Sequence, residues 1–365
     1  MQIRSLKLLN FRNYEKIEVN FSNKFNLIYG KNGMGKTNLV EAIYVLALTK
    51  SFRGSSERVL IHKNSNLTRI EGVVLDNIDT NYKIIISETG KKAKINENQV
   101  NKLSEYISKI VVILFNPDDI KMIKDTPMIR RKAMNVEISQ LHNNYLKYLN
   151  RYNKILKQRN SYLKTVALNS SSSKEYLDIL TEKMVDVGAI VYDMRCKFIK
   201  RINEYAKDIY KNIAISGELE IQYVSDFADF DKENILKKFK KVLNKELMFG
   251  KTQFGIQHDD LKFLLDGQNM KEYGSEGQQK NAIIAFKLSE IVIFKKEKGI
   301  LPILILDDLF SELDSEKIKN ILELIDDNVQ TFITTTDIQK VSSEIRSKAR
   351  IFEVIDGNVR EDNEK

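Results

Sequence analysis

Apolar residues alternate with period two near the start of the chain, take a helical spacing through its middle and form unbroken runs in its last third. Residues 3–9 and 17–21 alternate, with Ile17, Val19 and Phe21 on one side and Phe11-Arg12-Asn13-Tyr14 as the connection, which predicts a hairpin. The run Phe25-Asn26-Leu27-Ile28-Tyr29 predicts a further strand, and after it Leu39, Ala42, Ile43, Leu46 and Ala47 fall at i, i+3, i+4, i+7 and i+8. That spacing predicts a helix with one face buried against a sheet. Strands are expected at 67–75 and 82–87 around the turn Asp76-Asn77-Ile78-Asp79, and at Val111 to Phe115 before Asn116-Pro117.

From about 130 to 164 the residues Leu141, Tyr145, Tyr148, Tyr152, Ile155 and Tyr162 step by threes and fours, with Arg159 in the one gap. After the polar stretch Asn169 to Ser173, a second seam runs through Leu177, Leu180, Met184, Val187, Val191, Met194 and Phe198. Two such helices with a polar loop between them predict an antiparallel helical hairpin. The tyrosines read as seam filling. Beyond 215 come Leu219, Ile221 and Tyr223, a helix over 232–248, and then Leu261, Phe263 and Leu265. The apolar run Ile303 to Leu306, a helix, Val329 to Thr334 and Ile351 to Ile355 fit a parallel sheet covered on both faces. The expected architecture is α/β, with a sheet domain from residues 1–120 and 249–365 and a mostly helical lobe, 121–248, inserted in it.

With 365 residues, 42% of them hydrophobic, the chain can fill more than one core. The net charge of +9 is unevenly placed: residues 121–211 hold nineteen Lys and Arg against nine Asp and Glu, and the rest is nearly neutral. A basic lobe suits nucleic-acid phosphates, with Arg151, Lys154 and Lys157 as candidate contacts; a merely solvated helix face is the plainer alternative. The single cysteine, Cys196, excludes a disulfide within the chain, and His62, His142 and His258 form no metal-ligand spacing. No apolar run is long enough to span a membrane, and the first residues lack a signal-peptide core, so the expected location is the cytoplasm.

Three motifs carry chemistry. Gly30-Lys31-Asn32-Gly33-Met34-Gly35-Lys36-Thr37 has the form G-x-x-x-x-G-K-[ST] between a strand and a helix, the context of a phosphate-binding P-loop. Its amides would face the phosphates, with Lys36 toward the β- and γ-phosphates and the Thr37 hydroxyl on Mg²⁺. Asp307 ends an apolar strand, as a Walker B carboxylate that holds Mg²⁺ must, and Asp308 beside it is the candidate for polarising an attacking water. Ser275-Glu276-Gly277-Gln278 opens a helix, where a hydroxyl, free amides and the dipole make an anion site. P-loop, then this signature, then Walker B with Ser311 to Asp314 is the order of an ABC-type P-loop ATPase head.

The chain resembles the RecF family of bacterial recombination-mediator ATPases, which are related to the SMC proteins. The likeness runs from end to end, through Leu9-Asn10-Phe11-Arg12-Asn13-Tyr14, Gly30 to Tyr44, Lys50-Ser51-Phe52-Arg53, Asn116-Pro117-Asp118-Asp119, Pro127 with Arg130-Arg131, Tyr273 to Gln279, and Asp307 to Asp314. The resemblance implies ATP and Mg²⁺ as cofactors and a homodimer that forms when ATP binds. Ser275 and Gly277 of one copy would then meet the γ-phosphate on the P-loop of the other, with Arg12 near the nucleotide. It also implies DNA binding near single-stranded gaps, work with RecO- and RecR-like mediators in recombinase loading, and a part in the SOS response.

There are departures from the family pattern. Gly255-Ile256-Gln257-His258-Asp259-Asp260 stands where the family has Gly-Pro-His-Arg-Asp-Asp, Ala133-Met134-Asn135 where it has Phe-Leu-Asp, and Thr336 where many transport heads have a switch histidine. No Q-loop glutamine is placed. The short Asp308 and the absent histidine predict a weak, DNA-stimulated ATPase. A transport-type ABC subunit and a nucleotide-switched scaffold without catalysis are the alternatives.

Overall fold

The computed structural model describes every residue except 55, 170–172, 215, 310–317, 319–320, 327 and 363–365. Residues 310–314 of the Walker B segment, and most of the helix expected after it, lie outside the described residues. The chain divides into two compact units, Met1–Ile120 with Asp208–Ile215 and Lys280–Lys365, and Lys121–Lys207 with Ser216–Gln279.

The first unit is built on two six-stranded sheets. One has the order β2-β1-β4-β5-β6-β7, from β1 (Gln2–Phe11), β2 (Tyr14–Asn20), β4 (Leu67–Leu75), β5 (Asp79–Ser87), β6 (Gly90–Ile95) and β7 (Asn98–Gln99), all antiparallel. The expected hairpin is β1 with β2, Leu6 opposite Val19 and Leu8 opposite Ile17. The other sheet has the order β15-β14-β3-β13-β12-β8, from β3 (Phe25–Tyr29), β8 (Val112–Phe115), β12 (Ile303–Leu306), β13 (Thr331–Thr335), β14 (Ala349–Ile355) and β15 (Asn358–Asp362). Its strands are parallel except the antiparallel edge strand β15. Every residue of β8, β12 and β13 is buried, which is why these runs are apolar without alternation.

The helix Lys36–Leu48 lies between the two sheets, touching β1, β4 and β5 of one and β8 and β13 of the other. The single buried face expected from the apolar spacing is therefore only part of the packing. Val40, Glu41 and Val45 are fully buried beside Leu39, Ala42, Ile43, Leu46 and Ala47.

The second unit contains the helices Pro127–Leu141, Tyr145–Leu168, Lys232–Phe249 and most of Lys174–Ile213, with a sheet of order β11-β10-β9. In that sheet β9 (Leu219–Val224) pairs antiparallel with β10 (Asp260–Leu265), which pairs with β11 (Gln268–Asn269). This pairing ties residues before 248 to residues after it. The observed division accordingly falls between Gln279 and Lys280, not at the expected 248, and Asp208–Ile215 belongs to the first unit. The helix expected over 130–164 is two helices separated by residues 142–144. Leu141 and Tyr145 on either side are both buried, so the seam keeps its step across the break. Arg159, at the seam's gap, is 1% exposed and ion-paired to Glu246 at 2.6 Å, and Tyr145 and Tyr152 are buried as seam filling requires.

Candidate nucleotide site

The P-loop leaves the carboxyl end of β3, and Asp307 leaves the carboxyl end of β12, with β13 hydrogen-bonded between those two strands. The loop needs its glycines. Gly30 has φ +149°, and a Cβ there would come within 2.4 Å of the Val354 carbonyl oxygen; Gly35 has φ +120° and faces the side chains of Asn13 and Tyr14. Lys36 Nζ donates to the carbonyls of Gly30 at 2.7 Å and Lys31 at 3.0 Å, so the ammonium is held across the loop by its own backbone. Burial lowers the Lys36 pKa, and Asp308 and Asp307 oppose that shift. Lys31, Asn32 and Gly33 are exposed, and Met34 accepts a bond from Asn13 through its carbonyl.

Thr334, on the intervening strand, ties the Walker B pair together. Its hydroxyl donates to Asp307 Oδ1 at 2.7 Å and accepts from the Asp308 amide at 2.9 Å. The Thr37 hydroxyl lies near enough to favour the charged form of the Asp307 carboxylate. A hydroxyl and a carboxylate are the hard oxygen donors Mg²⁺ takes, since that ion uses one or two protein ligands, phosphate oxygens and water. Among the described residues no group of three or more acidic, His or Cys side chains could hold a metal by itself. Asp308 adopts φ +52°, a left-handed conformation that Asp and Asn tolerate better than other side chains. Thr336 lies just past β13 and is exposed.

Burial raises the Asp307 pKa, against the opposing effect of the Thr334 and Thr37 hydroxyls. An acid raised in this way binds its proton more tightly folded than unfolded. Stability therefore falls as pH rises from the ordinary carboxylate range through the raised value. Asp307→Asn is expected to raise the melting temperature at pH 7 without nucleotide and to remove the extra stabilisation given by ATP with Mg²⁺. Thermal melts with and without ATP and Mg²⁺ check both, and a lower melting temperature without nucleotide would contradict the burial cost.

Arg12 directly precedes Asn13 and Tyr14, whose side chains bond the P-loop carbonyls. Its guanidinium grips Glu41 at 2.8 and 2.7 Å, and Glu41, fully buried, also accepts from Ser51. Around this pair Arg53 donates to Asn38 at 3.0 Å, Asn38 to Asn13 at 2.7 Å, Asn13 to the Met34 carbonyl at 2.9 Å, and Tyr14 to the Gly35 carbonyl at 2.8 Å. The connection of the first hairpin thus holds the P-loop from behind. Glu41, Asn13, Tyr14 and Thr334 were not singled out as site residues by sequence reasoning; Asn13 and Tyr14 stand in the segment Leu9 to Tyr14 that carries the resemblance.

Ser275, Gly277 and Gln278 belong to the second unit. They open the helix Glu276–Lys298 with a reciprocal cap: the Ser275 amide donates to Gln278 Oε1 at 2.9 Å and the Gln278 amide to Ser275 Oγ at 3.3 Å. Ser275 and Gly277 are exposed, and a Cβ on Gly277 would meet nothing within 4 Å. Arg151, Lys154 and Lys157 are exposed on Tyr145–Leu168 and make no ion pair among the described residues. No described helix is long and apolar enough to cross a membrane.

Residues 2–359 match the RecF/RecN/SMC N terminal domain family. The DNA replication and repair protein RecF of Bacillus pumilus is 39% identical over 370 residues, covering 98% of this chain and all of that protein. Its counterpart from Ligilactobacillus salivarius is 36% identical over 372 residues, covering all of this chain and 98% of the relative. The solved structure of the recombination mediator protein RecF-ATP in the RecFOR pathway superposes with a TM-score of 0.91 at 31% identity, over 99% of this chain and 97% of that one. A solved Smc head bound to the C-winged helix domain of ScpA shares the fold at TM-score 0.56 and 18% identity, over 99% of this chain and 98% of that one. With the family model matched over residues 2–359 and these relatives matched from end to end, this chain belongs to the RecF family.

Proposed function

We propose that the chain is an ATP-dependent DNA-binding protein of replication-linked repair and recombination, acting as a clamp that ATP closes and slow hydrolysis opens. One observation carries this reading: the P-loop and the Walker B pair Asp307 and Asp308, a pair tied together by Thr334, stand at the carboxyl ends of the two strands that flank β13, while Ser275 and Gly277 stand exposed at a helix start with room for a ligand. That is half a site twice over. A second copy supplies Ser275 and Gly277 to the γ-phosphate held by Lys36, so ATP joins two chains. Thr37 and Asp307 would hold Mg²⁺, which would supply charge neutralisation at the phosphates. Asp308 orients the attacking water. DNA is the polymer gripped, and RecO- and RecR-like mediators of the RecFOR pathway are the partners, in the cytoplasm.

The test is binding to duplex, single-stranded and gapped DNA, each with and without ATP. ATP is expected to strengthen binding to duplex and gapped DNA in the natural chain and to have no effect in Lys36→Ala. The same ATP dependence in both proteins would sink the clamp.

A further inference from the structure

The helix Lys232–Phe249 carries Lys237, Lys241 and Lys245 at i, i+4 and i+8, all exposed. Three ammonium groups therefore stand in a row, about 6 Å apart along the axis. Lys240 flanks the row, and Lys238 lies over the Phe254 ring at 5.8 Å. Among the described residues Lys237, Lys240, Lys241 and Lys245 make no ion pair. Lysines elsewhere do: Lys7 with Glu18 at 3.0 Å, Lys207 with Glu218 at 2.6 Å, Lys348 with Glu344 at 2.8 Å.

The helix's own acids do not compensate. Glu246 is buried against Arg159, and Glu233 sits in the first turn, where it complements the helix dipole. The neighbouring helix Tyr145–Leu168 has no acidic residue and exposes Lys147, Arg151, Lys154, Lys157 and Lys164. The stem of Lys164 is close to Gly250, the residue that ends Lys232–Phe249, so the two basic elements adjoin. Like charges at i, i+4 destabilise a helix, and an anion laid along them would offset that cost.

We propose that the row Lys237, Lys241 and Lys245, with the adjoining helix, grips the phosphate backbone of DNA. This rests on the DNA-binding reading above and assigns it a surface. The exposed Asn234, before the row, and Asn244, within it, add amide donors, while the exposed Met248 and Phe249 lie beyond the last lysine. A charged row without an apolar centre fits a phosphate backbone better than a protein partner.

The experiment measures duplex affinity of the full chain with ATP across a salt series, for the natural protein, K237Q/K241Q/K245Q, and a charge-matched control K7Q/K207Q/K348Q. The first variant is expected to flatten log affinity against log salt by about 2.7, about 0.9 for each phosphate that a lysine no longer neutralises, with the control unchanged. ATP binding of K237Q/K241Q/K245Q, measured in parallel, should stay at the natural value, and its melting temperature should not fall, since the like-charge repulsion is relieved. An unchanged slope in K237Q/K241Q/K245Q, or an equal fall in the control, overturns the assignment and leaves DNA binding standing. No duplex affinity in the natural protein overturns both.

Discussion

Ser275→Arg is expected to bind ATP with the affinity of the natural chain and to remain monomeric with it, its hydrolysis lower by a factor on the order of 10² or more. The reason lies in what Ser275 does and does not touch. Its hydroxyl accepts the Gln278 amide at 3.3 Å and is otherwise exposed, and Gly277 beside it faces open space. An arginine removes the cap, worth about 1 kcal/mol, and fills the volume that a phosphate on another copy needs. The P-loop, in the first unit, keeps all its contacts. ATP titration followed by sedimentation separates the two effects. An ATP-dependent dimer of Ser275→Arg would show that the signature is only a helix cap.

Glu41→Ala should cost about 3–5 kcal/mol of stability, because it leaves the Arg12 guanidinium without its buried carboxylate. Glu41 is fully buried and holds Arg12 through two bonds, with Ser51 bonding to the same group. The loss should also loosen the loop. Arg12 leads directly into Asn13 and Tyr14, whose side chains bond the carbonyls of Met34 and Gly35. Weaker ATP binding is therefore expected in conditions where the variant is still folded. Denaturant unfolding reads the first effect, and an unchanged midpoint would mean that burial of this pair costs as much as its contacts return.

Much of this arrangement was legible in the sequence because it is local. A strand, a glycine loop with Lys36 and a helix follow one another within a few residues, and β12 ending at Asp307 announces itself as an unbroken apolar run. What stayed hidden depends on distant pairings. Periodicity leaves Glu41 off the one buried face because a helix covered on both sides has no polar stripe to read, and only the two sheets around it reveal the burial. The lobe boundary moved to 279 because β9 pairs with β10 across the helix Lys232–Phe249, a long-range pairing without a local signal. Thr334 looked like one of three threonines, Thr334-Thr335-Thr336. Its bridging of Asp307 and Asp308 follows from β13 lying next to β12.

The central claim, that bound ATP joins two copies, is tested most directly on Asp308→Asn. Asparagine tolerates the left-handed backbone at that position, so the site keeps its shape while the group that polarises water is lost. Sedimentation equilibrium with Mg²⁺ and saturating ATP is expected to give twice the 42.4 kDa chain mass, persisting after excess ATP is removed, and a single chain mass without nucleotide. A mass of one chain with ATP demonstrably bound would contradict the account.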